Sequence, residues 1–173
     1  MEYIISEIKK CLDAGAWYAA LTLVLTLPAI CAAAENPKDK NQRRGKDHSK
    51  YLSWIESTAL PKKYGNNIGE QLYGLRCSVL HEGTFWVGTE NMPRLIVVPP
   101  NDKLGLHNVT FTHPQGCAVA HDVPSLCEDI IEEVRIWENK NHSNKTVQKN
   151  IQEVTRVHLE GIPPFVAGIP VIG

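Results

Sequence analysis

The chain has 173 residues, of which 43% are hydrophobic and 21% charged, the composition of a globular protein large enough to bury a core without metals or disulfides. Its formal net charge of -1 excludes a general electrostatic attraction to nucleic acid or membrane, so any anion site must be local. The five cysteines form no C-x-x-C pair and are expected to be reduced thiols of a cytoplasmic protein.

Two helices are predicted at the start of the chain. Residues 1–14 carry apolar side chains at helical spacing and predict an amphipathic helix that Gly15 ends. Residues 16–34 contain no charged side chain and approach the length of a membrane span. Their alanines and Pro28 favour a buried helix with a kink, and the preceding segment lacks the basic start of a signal peptide. A membrane-anchored protein is the less favoured alternative.

A basic segment follows. Residues 36–50, NPKDKNQRRGKDHSK, contain no apolar side chain and predict a flexible loop. Ser49 is predicted to cap the short helix that comes next. The loop is either a solvated surface segment or a contact for an RNA phosphate backbone. The cations that would make this contact are Lys38, Lys40, Arg43, Arg44 and Lys46.

The second half of the chain predicts two helices, with a small β-hairpin before the first and an apolar tail at the end. The second helix is the stretch that carries Val147, Ile151 and Val154 at helical spacing. Two short β-branched runs within 94–112 predict the hairpin. Asp122 and Pro124 precede a long amphipathic pattern and predict its capped start. The tail, 159–173, is apolar, interrupted by prolines and extended, and we expect it to dock onto its own domain or onto a second copy.

Arg76 is the unusual residue of the helix that the pattern predicts from Ile68 to Gly83. On an ideal helix it falls among the apolar positions, whereas His81 lies on the opposite arc with Gly74, Cys77 and Ser78. A buried guanidinium must be paired or must reach solvent. Arg76 therefore either pins the helix to a carboxylate such as Glu35, or acts with His81 on an anion, since arginine fits phosphate oxygens and histidine exchanges protons near neutral pH.

The stretch LRCSVLHEG resembles a known signature. Arg76, four residues and His81 match the R-x4-H form of the R-x(4–6)-H motif of the HEPN superfamily of small helical bundles. The earlier stretch AWYAALTLVLTLPAICAAAEN also resembles the first long helix of uncharacterised bacterial HEPN-like proteins. Together these features cover roughly residues 1–83. They predict a mainly α-helical, single-domain HEPN-like bundle with a small inserted hairpin.

The resemblance implies a function and a set of site residues. Many HEPN proteins are homodimeric, metal-independent endoribonucleases of defence or toxin–antitoxin systems, with an antitoxin as a protein partner. By this resemblance Arg76 would hold the scissile phosphate, His81 would transfer a proton, and Glu35, Cys77 and Ser78 would support them. Active members often carry Asn, Asp or His directly after the arginine, where this chain has Cys77. The alternative is therefore a non-catalytic HEPN-like interaction module in which Arg76 is a structural ion-pair residue.

The sequence favours neither a metal nor a cofactor. His107, His113, Cys117 and His121 are close in sequence, but their spacing fits no zinc pattern with paired short-range ligands. No glycine-rich phosphate loop accompanies Gly83 or any other glycine. RNA, a second copy and a protein partner are the expected binding partners, and a membrane is not.

Overall fold

The computed structural model describes residues 1–35, 47–84, 92–101 and 103–173. Its helices in these ranges are α1 Glu2–Asp13, α2 Trp17–Val24, α3 Leu27–Glu35, α4 Asp47–Glu56, α5 Leu60–Tyr64, α6 Ile68–Cys77, α7 Val123–Lys140 and α8 Lys145–Gln152. A π-helical turn, Ser78–Glu82, extends α6. The strands are β1 Arg94–Val98, β2 Val109–His113, β3 Gly116–Asp122, β4 Val157–His158, β5 Gly161–Ile162, β6 Val166–Ala167 and β7 Val171–Ile172. The chain is mainly α-helical with small sheets.

One apolar core joins the helices. Side chains from α1, α2, α4, α6 and α7 meet there, among them Ile5, Leu21, Ile55, Leu72 and Ile130, each with at most 1% of its surface exposed. Gly69 lets α4 approach α6 closely, because a side chain there would meet Leu52 Cδ2 at 3.1 Å. The core therefore fixes α6, and with it Arg76, against α4.

The apolar helix predicted over 16–34 is divided into α2 and α3. Pro28 has no N–H to donate to the carbonyl four residues earlier, and the helix breaks just before it. Thr26 Oγ1 donates to the Leu23 carbonyl at 2.6 Å, and Tyr51 Oη donates to the Leu25 carbonyl at 3.4 Å. These hydroxyls satisfy carbonyls that the break releases, and the predicted kink is confirmed.

The segment Trp17–Glu35 is long and apolar enough to cross a membrane by length and composition. Within this segment, half of the 18-residue stretch with the highest mean hydropathy is buried inside the protein. Leu21, Val24 and Leu27 lie in the core. The buried half of this segment packs in the core, as in the buried helix that the sequence favoured.

Helix α4 corrects the predicted boundary of the basic loop. The helix begins at Asp47, so residues 47–50 belong to its first turn and not to the loop, and Ser49 lies inside the helix instead of capping it. An aspartate is favourable at this position because the N-terminal end of a helix dipole attracts negative charge. The remaining loop residues, 36–46, lie outside the described residues.

The predicted hairpin over 94–112 is wrong. Strands β1 and β2 do not pair with each other; β3 lies between them, parallel to β1 and antiparallel to β2. The sequence pattern missed β3 because its residues GCAVAHD include small and polar side chains. The sheet leads directly into α7, where Asp122 Oδ1 accepts a hydrogen bond from the Ser125 N–H at 2.9 Å, as the predicted cap requires.

The apolar tail folds mainly on itself. Strand β4 pairs with β7 and β5 pairs with β6, which gives two sheets of two strands each. Phe165 is 87% exposed and Ile172 75% exposed, and within residues 148–173 no side chain is buried. The tail is therefore not buried against the described part of its own domain, and the alternative that it docks onto a second copy stays a prediction.

Candidate functional site

A groove of about 490 Å³ opens between α3, α4 and the π-extended end of α6. We call it the Arg76 groove. Its floor is made of small side chains from α3, which leave room for a ligand. Its polar residues are both charged and neutral. The residues that line it are Ala29, Ala32, Ala33, Asp47, Lys50, Tyr73, Arg76, Cys77 and His81.

The π-helical turn explains why Arg76 and His81 line the same groove. In an α-helix, side chains five residues apart point about 140° away from each other, which is why the sequence placed the two residues on opposite arcs. Arg76 lies just before the π-helical turn, which winds fewer degrees per residue than an α-helix, so His81 comes round toward the side of Arg76. The Gly83 N–H donates to the Ser78 carbonyl, and Gly83 ends the turn with a φ of 66°. Leu80, within the turn, is 39% exposed.

Arg76 has no carboxylate partner among the residues that the structure describes. Its guanidinium forms no ion pair there, and its Nε is buried without a hydrogen bond. Its Cζ lies 6.0 Å from the centroid of the Tyr73 ring, in range of a cation–π interaction. The predicted pairing with Glu35 is wrong, because Glu35 Oε1 accepts a hydrogen bond from Trp137 Nε1 at 2.6 Å.

Aromatic rings support the Arg76 groove from α4 and α6. The Tyr73 ring centroid lies 4.5 Å from that of His48 and 5.3 Å from that of Tyr51. Burial, together with the nearby Cys77 thiol, raises the pKa of Tyr73. The phenol therefore stays protonated at neutral pH and presents a neutral face to Arg76.

The other predicted site residues have different positions. Cys77 lines the groove, and His81 is exposed at its edge. Ser78 begins the π-helical turn and is half-buried, and Glu35 lies at the end of α3 against α7. The cations predicted to bind RNA, Lys38, Lys40, Arg43, Arg44 and Lys46, lie outside the described residues. Lys50 and Asp47, which the sequence did not single out, line the groove because the first turn of α4 reaches it.

No family model, curated protein or solved structure matches this chain. The likeness to HEPN proteins rests on the residues quoted from the sequence, Arg76 and His81 above all. The shared groove adds a geometric reason to consider these two residues together.

Replacing Arg76 by methionine tests whether the arginine holds the fold together. Arg76→Met removes a buried N–H that lacks a partner and breaks no ion pair, so we expect the free energy of unfolding to change by less than about 1 kcal/mol. Removing one partner of a buried ion pair would instead cost about 3–5 kcal/mol. Urea unfolding followed by circular dichroism measures the difference, and Arg94→Met, at an exposed arginine of β1, is the control. A loss above 3 kcal/mol for Arg76→Met alone would contradict this reading.

A second group of polar side chains lies between α5, the sheet and α7. We call it the Tyr64 cluster; its members are Lys63, Tyr64, His107, His121, Asp122 and Asp129. Tyr64 Oη donates to Asp129 Oδ2 and lies 2.9 Å from His107 Nε2. His107 Nδ1 lies 2.9 Å from Asp122 Oδ2. Sequence reasoning missed this cluster, and the adjacency of His121 and Asp122 at a strand end was the only local signal for it.

The Tyr64 cluster also corrects the grouping of histidines by sequence. His107 and His121 are neighbours, with ring centroids 5.6 Å apart, whereas His113 lies at the far end of β2. No group of three metal-ligating side chains is present in the described part of the chain. His121 is 1% exposed, and its Nδ1 is buried without a hydrogen bond. Burial, with a contribution from His107, lowers the pKa of His121 to about 4.

Proposed function

We propose that this protein is a cytoplasmic, HEPN-like RNA-binding protein that cleaves RNA without a metal at the Arg76 groove. The observation that carries the proposal is the state of Arg76: a guanidinium with no carboxylate partner in the described residues shares a groove with Lys50 and His81. Two cations and an exposed histidine outnumber Asp47, the one carboxylate of the groove, and suit a phosphodiester better than a neutral ligand. A defence or toxin–antitoxin role, with an antitoxin as protein partner, belongs to the same proposal.

The groove residues divide the chemistry between them. Arg76 holds the scissile phosphate and stabilises the charge that develops on its oxygens. The ribose 2′-oxygen attacks the phosphorus, and the bond to the 5′-oxygen breaks, which leaves a 2′,3′-cyclic phosphate and a 5′-hydroxyl. His81 accepts the proton of the 2′-hydroxyl or donates one to the leaving oxygen. One histidine serves one of these roles at a time, so a homodimer that joins two grooves would supply both.

A second candidate function is RNA binding without cleavage. His81 forms no hydrogen bond to any residue in the described ranges, so no second side chain there fixes its ring. Catalytic histidines are usually oriented by a partner of this kind. The interaction module in which Arg76 is an ion-pair residue is less well supported. Asp47 lines the same groove, but Arg76 forms no ion pair with a carboxylate of the described residues.

The experiment is incubation of purified protein with total RNA in EDTA. We expect the wild type to produce fragments that end in 2′,3′-cyclic phosphate, and we expect neither Arg76→Ala nor His81→Ala to produce them. Arg94→Ala and His142→Ala, at exposed positions of β1 and beyond α7, are matched controls that should cleave like the wild type. Circular dichroism establishes that every variant is folded.

Three outcomes distinguish the candidates. Cleavage in EDTA that is lost in both groove variants supports the ribonuclease. RNA binding that Arg76→Ala weakens, without cleavage by the wild type, supports the second candidate. If the wild type neither binds nor cleaves RNA, both RNA functions are wrong.

A further inference from the structure

The tail unit, residues 157–173, presents an apolar surface that no other described part of the chain covers. Its four strands form only the β4–β7 and β5–β6 sheets, extended by mutual hydrogen bonds between Arg156 and Gly173 at 2.9 and 3.1 Å. A side chain at Gly173 would meet Ile162 Cδ1 at 2.6 Å, so the two sheets lie against each other. Two-stranded sheets are marginally stable in water unless another surface packs on them.

The exposed apolar area is large for so short a segment. Leu159, Phe165, Ile169 and Ile172 are 71%, 87%, 59% and 75% exposed. Large side chains carry about 150 to 250 Å² each, so these four expose on the order of 500 Å². A stable interface buries about 800 Å² per partner. The tail unit alone therefore supplies more than half of the surface that a dimer needs.

We propose that the tail unit binds the tail unit of a second copy of this chain. Glu160 is the only Asp, Glu, Lys or Arg in the tail unit, and residues 161–173, GIPPFVAGIPVIG, carry none, so two copies meet with little electrostatic repulsion and offer little charge by which a different partner would be selected. A two-fold dimer places the same patch on both sides of the interface, and an uncharged apolar patch is complementary to itself. Each two-stranded sheet also has unpaired outer edges that can pair with another chain.

This inference does not depend on RNA cleavage and names a surface outside the Arg76 groove. If the groove contacts alone held two copies together, the tail unit would stay exposed in the dimer. The test therefore compares substitutions in the tail unit with substitutions of equally exposed apolar residues elsewhere.

The experiment is sedimentation analysis of the full chain over a concentration series. We expect the wild type to reach twice the chain mass, and we expect Phe165→Ser with Ile172→Thr to raise the dissociation constant by about 100-fold, since buried aromatic anchors dominate interfaces. Leu104→Ser with Phe111→Ser, at side chains 59% and 45% exposed, is the matched control and should dimerise like the wild type. Far-ultraviolet circular dichroism should show the same helix content in all three proteins.

A mixing experiment identifies the contact. With a tail-to-tail interface, labelled double variant added to the wild type should be excluded from the dimer. Recovery of a mixed dimer of normal stability would show that one tail binds the body of the other chain, which would overturn the proposal. A monomeric wild type, or a dimer that the tail substitutions leave unchanged, would overturn it as well.

Discussion

Replacing His81 by alanine is expected to reduce RNA cleavage by about 10²- to 10⁴-fold, the contribution of a positioned acid or base. The side chain is exposed at the edge of the Arg76 groove and is not part of the core, so the fold should be unaffected. RNA affinity should remain within a few-fold of wild type, because Arg76, which holds the phosphate, is unchanged. Single-turnover cleavage of a labelled RNA and a filter-binding assay measure the two quantities separately.

Imidazole gives this prediction a readout that a structural role would not affect. The substitution leaves a space at the groove edge, and added imidazole can perform the missing proton transfer there. We therefore expect imidazole to restore part of the cleavage by His81→Ala and to have no effect on Arg76→Ala, whose missing group holds the phosphate. If both variants lose RNA affinity equally and imidazole restores neither, His81 is a binding residue and not a proton donor or acceptor.

Acid is expected to destabilise the protein through His121. The pKa of this histidine falls from an ordinary value of 6.5 to about 4 in the folded protein, chiefly because burial disfavours the charged ring. The unfolded chain therefore binds more protons between these two values, and stability is lost as the pH falls from about 6.5 to 4. At about 1.4 kcal/mol per pKa unit, the loss reaches roughly 3 kcal/mol.

The comparison that isolates this effect is His121→Gln, which cannot take up the proton. The free energy of unfolding is measured with urea at several pH values between about 5 and 6. Its increase with pH should be smaller in the variant than in the wild type by roughly 1 kcal/mol per pH unit. His113→Gln, at an exposed histidine of the same sheet, should keep the wild-type slope. Equal slopes for the wild type and His121→Gln would mean that the buried ring does not titrate with unfolding.

The residues of the Tyr64 cluster surround His121 and determine the direction of its pKa shift. Tyr64 and His107 lie against the ring of His121, with centroids at 4.8 and 5.6 Å, and the charges of Asp122 and Asp129 raise its pKa in opposition to burial. The net direction is downward because the ring is almost fully removed from water. The cluster therefore joins the sheet to α5 and α7 most firmly when His121 is neutral.

The helices were largely predictable from the sequence. Apolar periodicity placed α1, α6, α7 and α8 correctly, and Asp122 and Gly83 marked a helix start and a helix end, because these signals depend on neighbours within one or two turns. Pro28 likewise marked the break between α2 and α3, since the missing N–H is a local fact. The candidate pair, Arg76 and His81, was also visible as a motif.

The placement of these residues depended on contacts that the sequence does not contain. The π-helical turn places His81 in the groove of Arg76, whereas an ideal α-helix would place the two residues on opposite sides. Glu35 forms a hydrogen bond with Trp137, 102 residues away, and not with Arg76. Strand β3 came between β1 and β2, and Tyr64 met Asp129 across 65 positions. The sequence by itself determined the local elements and the chemistry that they carry. Only the tertiary structure decided which of these groups meet, because partners distant in sequence are selected by packing and by the need to pair buried polar atoms.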